Sequence, residues 1–155
     1  MLLNIEYLLV GTGWANCKLT NEDSSCVVSA SYLSDALYKL VLSAISVCVG
    51  VERLSFGFDE EPGEFRWIIT QPRLNEIKIE IRSFQETWGG KLDEEGDLLF
   101  QAHCRPITFA KLVHTAAQAL LDDVGEAGYL KKWAEHSFPS VQFQELKRLI
   151  EELPD

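Results

Sequence analysis

Positive charge is scarce in this chain. Fourteen lysines and arginines face 24 aspartates and glutamates over 155 residues, for a net charge of −10. A phosphate backbone or an anionic membrane surface needs a positive footprint, so neither nucleic acid nor membrane is expected as a partner. Histidine is equally sparse. His103, His114 and His136 stand apart, none at ligand spacing from another, and no metal is expected. The four cysteines, at 17, 26, 48 and 104, lack the short spacing of a zinc knuckle or a redox motif. Cys17 and Cys26 are placed to meet across a hairpin turning near residues 21–24, but buried free thiols in a reducing compartment are the stronger expectation. Long apolar runs are missing too. The stretch LYKLVLSAISVCVG is too short to span a membrane and carries Lys39. The start, MLLNIEYLLV, has no basic n-region and carries Glu6, unlike a secretory signal. The cytoplasm is the expected compartment. No repeat, low-complexity tract or linker divides the chain, so one domain over residues 1–155 is expected.

The periodicities that are present indicate an α+β fold. The N-terminal part reads as two strands: IEYLLV is followed by a Gly-Thr-Gly bend, and WANCKL and SCVVSASYL flank the polar TNEDSS. Leu33, Leu37, Leu40, Val41, Ala44, Ile45 and Cys48 then fall at helical spacing, with Ser34 as N-cap and Gly50 as stop. In RLSFGFDEEPGEFRWII, folding about Pro62-Gly63 sets Phe58 against Phe65, Phe56 against Trp67 and Leu54 against Ile69, all on one face. EIKIEIR alternates isoleucine with charge. Matching Ile69 to Ile77 would set Arg66 opposite Glu80 and Glu64 opposite Arg82, a charged ladder on a solvated face. DLLFQAHCR is a further strand, with Leu98, Phe100, Ala102 and Cys104 toward the core. A second helix runs from Pro106 to about Gly125, YLKKWAEH adds a short helical piece, and Ser140 caps a last helix. The order is β-β-α-β-β-β-β-α-α: a mostly antiparallel sheet of about six strands, helices on one face.

Candidate chemistry is thin. GTGWAN has Asn16 where a dinucleotide fingerprint needs its third glycine, and no helix follows, so no cofactor is expected. Asp59, Glu60, Glu61 and Glu64 ring the Pro-Gly turn. Like charges at a turn tip splay into water, which suits a solvated tip or a contact for a basic protein better than a metal site. KLDEEGD, residues 91–97, reads the same way. His103 shares a sheet face with Gln101 and Arg105, and a small enzyme using His103 with Glu64 or Glu80 as acid and base is the competing expectation. Cys104 points to the opposite face, and Ser31 and Ser34 are better explained as helix-entrance groups than as nucleophiles.

The segments GTGW, SYLSDAL and EPGEFRW together resemble a pattern found in uncharacterised bacterial proteins. That resemblance implies a bacterial, intracellular single domain and no particular activity. In size and charge the chain is also similar to immunity proteins that neutralise toxins. The expected function is a non-enzymatic, acidic, intracellular protein-binding domain.

Overall fold

The structure, a computed structural model, describes residues 3–87, 89–134 and 136–154. It is α+β with antiparallel strands, as the periodicities indicate, but among the described residues the strands number seven and form two sheets. Where two N-terminal strands were expected, three form: β1 (Asn4–Leu9), β2 (Trp14–Thr20) and β3 (Ser25–Ser31), in spatial order 1-2-3. Helix α1 (Ala36–Cys48) follows. The second sheet holds β4 (Arg53–Asp59), β5 (Glu64–Arg73), β6 (Glu76–Phe84) and β7 (Asp97–Cys104), again as a meander. Helices α2 (Pro106–Trp133) and α3 (Ser140–Glu152) close the chain. β3 packs beside β4 without joining its ladder, which keeps the two sheets separate.

Local sequence accounts for most of these elements. The bend between β1 and β2 places Gly11 and Gly13 at φ of 61° and 79°, a region costly for residues with a Cβ. Between β2 and β3 the Asn21 carboxamide oxygen accepts the amides of Asp23 and Ser24, at 3.0 and 2.9 Å, an Asx turn. The register sets Cys17 opposite Val28 and Cys26 opposite Leu19, so the two thiols are not cross-strand partners, and all four cysteines are free. Helix α1 buries Leu37, Leu40, Val41 and Ala44, the expected stripe; Leu33 lies before the helix and is exposed. Ser34 does not cap it. Its hydroxyl donates to the Ser31 carbonyl (3.4 Å) and accepts the Asp59 amide (3.2 Å), tying the helix entrance to the end of β4. Ser140 is likewise no cap: it lies inside α3, and its hydroxyl donates to Glu126. Gly125, at φ 68° and ψ 173°, breaks α2 where the sequence places a helix end, and a further helical stretch runs on to Trp133.

The β4–β5 register is the one the alternation predicts, with Phe58 opposite Phe65, Phe56 opposite Trp67 and Leu54 opposite Ile69. The β5–β6 register differs by two residues: Ile69 faces Ile79, Arg66 faces Arg82 and Glu64 faces Phe84. Strand β5 continues to Arg73, an irregularity between Thr70 and Arg73 takes up the slack, and a tight turn at Leu74 and Asn75 joins the strands, Asn75 adopting φ 59°. A shift of two preserves facing, so the isoleucines stay inside while the expected cross-strand ladder is lost. Arg66 pairs instead with Glu64 and Arg82 with Glu80, each two residues away on its own strand. On β7, Phe100 and Ala102 are buried as expected, but Leu98 is 47% exposed. Ile81 faces Phe100 while Arg82 faces Leu98, so Leu99 is an extra residue that turns the start of the strand outward.

The inner faces of both sheets and all three helices share one contiguous buried cluster. Trp67, fully buried, stacks on Phe56 (centroids 5.5 Å apart) and tilts against Phe58 at the same distance. Trp67→Ala should therefore cost about 3–5 kcal/mol, the range for deleting a large core aromatic. Glu61→Ala, at an exposed turn position, should change stability by less than about 0.5 kcal/mol. Chemical denaturation of both variants checks this, and a near-neutral Trp67 variant would refute the packing.

Candidate functional site

In an antiparallel meander, successive connections alternate between the two ends of the sheet. The β4–β5 turn and the β6–β7 connection thus share one end of the four-stranded sheet. The two sharpest acidic segments, residues 59–64 and 93–97, are brought together there. Thr87 fastens the first: its amide donates to the Pro62 carbonyl at 2.6 Å, and its hydroxyl reaches the carbonyls of Pro62 and Gly63 at 2.9 and 2.6 Å. Two glycines allow the approach. A Cβ on Gly63 would lie 2.4 Å from the Phe84 carbonyl, and one on Gly96 would lie 2.5 Å from the Phe84 ring.

Arg66 joins the segments. Its guanidinium donates to Glu64 Oε1 (2.7 Å), Asp93 Oδ1 (3.0 Å) and the Lys91 carbonyl (2.9 Å), and lies 3.9 Å above the Phe84 ring. Burial works against its charge, but the hydrogen bonds it donates to Glu64 and Asp93 outweigh that and hold its pKa above the ordinary value. Arg82 is similarly engaged, with the Gly96 carbonyl (2.8 Å) and Glu80 (3.4 Å). These two cations are drawn into the sheet surface, with side chains only 15% and 19% exposed. Glu61, Glu86, Glu94, Glu95 and Asp97 are left exposed around them, with Glu60 half-buried. Lys91 is exposed here, and Arg53, from the far end of β4, is bonded to Asp93 at 3.0 Å.

Of the four carboxylates nominated by the sequence, only Glu60 and Glu61 face solvent. Asp59 and Glu64 are buried, at 5% and 8% exposure. They flank the turn at the last paired position of the hairpin, where Asp59 faces Glu64. The sequence signal for the wider group was the alternation itself, since two acidic connections separated by two strands must fall at one end.

His103 lies elsewhere. Across the β6–β7 ladder it faces Lys78, while Glu80 faces Gln101 and is held by Lys78 and Arg82, each at 3.4 Å. Glu64 is held by Arg66. The structure thus brings neither expected carboxylate to His103. Its Nδ1 lies 3.2 Å from Glu76 Oε2, beside an open cleft of about 380 Å³ lined by Asn75, Glu76, Cys104, Arg105 and Thr108. The β6–β7 register, which sets Lys78 opposite His103, leaves Glu76 as its diagonal neighbour on the same face. Both side chains are substantially exposed, 39% and 30%, so water screens the pair. Cys104 is pushed up to about 12 by burial, the opposite of what a nucleophilic thiol requires. Among the described residues no three His, Cys, Asp or Glu side chains are grouped to hold a metal ion, and no helix is long and apolar enough to cross a membrane.

Burial raises the Asp59 pKa; Lys39 pulls it down, and Glu64 and Glu61 add to the rise. A carboxyl with a higher pKa in the folded than in the unfolded chain makes folding less favourable as pH climbs through the interval between the two values. That interval begins near the ordinary value of 3.8 and extends upward. Asp59→Asn should therefore gain stability relative to the parent as pH rises from about 4, levelling off towards neutrality. Denaturation of both proteins across pH 3–7 checks this; a difference that stays flat or reverses would show that Asp59 is well solvated or well paired.

No protein-family model matches the chain, and the search of curated proteins finds no significant match. Among solved structures, a chain of the CdiA-CT/CdiI toxin and immunity complex from Enterobacter cloacae is similar over 76% of this chain and 99% of its own, at 10% identity and a TM-score of 0.47. At that level the likeness carries no argument about what this protein binds.

Proposed function

We propose that the chain is a non-enzymatic protein-binding domain that docks a basic protein through the acidic end of its four-stranded sheet, in the manner of an immunity protein capping a toxin. The observation that supports this is the gathering of Glu60, Glu61, Glu86, Glu94, Glu95 and Asp97 from two separate connections, while Arg66 and Arg82 are drawn beneath them. Such a surface attracts cations over a distance, and it is built on a sheet end fastened by Arg66 and Thr87 rather than on a free loop. The expected cytoplasmic compartment and bacterial origin belong to the same reading. The competing reading, acid–base catalysis at His103, has in its favour the Glu76 contact alone.

Exposed charges of this kind act mainly on the association rate, through attraction that salt screens over about 8 Å at physiological ionic strength. The probe is a basic protein recovered by pull-down with this one. Replacing Glu60 and Glu61 by glutamine should slow its association several-fold at low salt. The effect should shrink as salt rises, with dissociation and folding nearly unchanged. Stopped-flow association across a salt series reads this directly. An unchanged rate, or a loss that ignores salt, would leave these carboxylates as solvated turn residues and overturn the proposal.

A further inference from the structure

A strand at the edge of a sheet turns half of its backbone N–H and C=O groups away from the ladder, and those groups can pair with an incoming extended chain. Of the four edge strands among the described residues, β1 runs beside α2 and β3 lies beside β4. The fourth, β7, pairs with β6 on one side. An open groove of about 580 Å³ is walled by its residues 98–103 and by the β2–β3 turn at residues 21–24. A groove on one face of a strand is lined by alternate residues; lining by successive ones means that this groove follows the backbone edge. The Gln101 carbonyl points into it, since it accepts a hydrogen bond from the Asn21 carboxamide nitrogen at 3.2 Å, a contact exposed to solvent. Outward groups belong to alternate residues of an antiparallel strand. The N–H of Gln101 and the N–H and C=O of His103 therefore point the same way, while Phe100 and Ala102 turn theirs to β6.

The strand itself, DLLFQAHC, has neither the lysine nor the proline that commonly blunts an edge; only the extra residue at Leu99 interrupts it. Its surroundings select the guest. Leu98 and Leu99 are exposed and offer apolar contact. Asp23 stands exposed on the turn, and Glu94, Glu95 and Asp97 stand exposed where β7 begins. A second copy of this chain would bring a further net charge of −10 to the same place, which disfavours self-pairing. We propose that β7 is a strand-addition site for an extended, basic segment of a partner protein. The segment displaces the Asn21 carboxamide, pairs with the outward groups of Gln101 and His103, sets an apolar residue against Leu98 and Leu99, and extends the sheet to a fifth strand. The proposal rests on the reading of the partner as basic and names the part of it that binds. The two are separable, because charge on the acidic sheet end acts on association rate and salt dependence, whereas strand pairing leaves its mark on alternate backbone amides.

The probe is a short peptide alternating lysine and valine, blocked at both ends, followed by NMR-detected amide hydrogen exchange. At saturation it should slow exchange of the Gln101 and His103 amides at least about tenfold, while those of Phe100 and Ala102, already in the ladder, change little. The same peptide with glutamate in place of lysine should bind at least about tenfold more weakly. His103→Pro removes an N–H that faces away from β6, a place where an edge strand tolerates proline, and should weaken binding about tenfold or more. His103→Ala, which keeps the N–H, should retain binding. If the proline variant does not fold, the exchange pattern decides alone. Protection of Gln101 and His103 that persists when Glu60 and Glu61 are glutamine supports the site even if the acidic end binds nothing. Binding without that protection overturns strand addition and leaves the acidic-end reading standing. No binding, equal binding of the glutamate peptide, or protection of the same two amides by raising the concentration of the protein alone, which would assign the edge to a second copy, overturns the proposal.

Discussion

The guanidinium of Arg66 is held on every side by groups from different parts of the second sheet: Glu64 on its own strand, Asp93 and the Lys91 carbonyl from the β6–β7 connection, and the Phe84 ring beneath. Charge-assisted hydrogen bonds are worth roughly 1.5–3 kcal/mol each when shielded from water, so this one side chain binds a long surface connection to a hairpin turn. It also sets the electrostatics of that end. A cation lies under the surface and spends its donors on two inner carboxylates, and the outer ones are left without compensation.

The arrangement depends on the two-sidedness of the four-stranded sheet. Phe58, Trp67, Ile69, Ile79 and Ile81 seal one face in the shared core, which fixes Arg66, Arg82 and Glu80 on the other. Because facing is set by a period of two, the shift of β6 by two residues leaves the core unchanged and rearranges only the polar face. The apolar side tolerates either register, and the tight turn at Leu74 and Asn75 chooses between them. That choice took Glu80 away from Arg66, which pairs with Glu64 and Asp93 instead.

The acidic sheet end and the groove beside β7 differ in how far they could be read from sequence. Both acidic connections stand out as runs of carboxylates beside glycine, and a meander of strands already implies that they meet. The burial of Asp59 and Glu64 was not legible, because it depends on Ser34 and Lys39, which reach the end of β4 from outside the hairpin, and on Arg66 being drawn down beside Glu64. The groove beside β7 left no trace at all. It forms where the β2–β3 turn meets the edge of β7, and the two segments lie far apart in the chain.

The sequence by itself determined the register of the β4–β5 hairpin, the break at Gly125 and, outside the irregular start of β7, the face on which the strand residues lie, since periodicity and turn chemistry act over a few residues. It also determined the acidic balance. Only the tertiary structure decided that the strands divide into two sheets, that Ser34 and Ser140 serve distant partners rather than their own helices, and which carboxylates are buried, paired or left facing water. Those outcomes depend on contacts between residues tens of positions apart, where packing of the shared core, not local preference, sets the geometry.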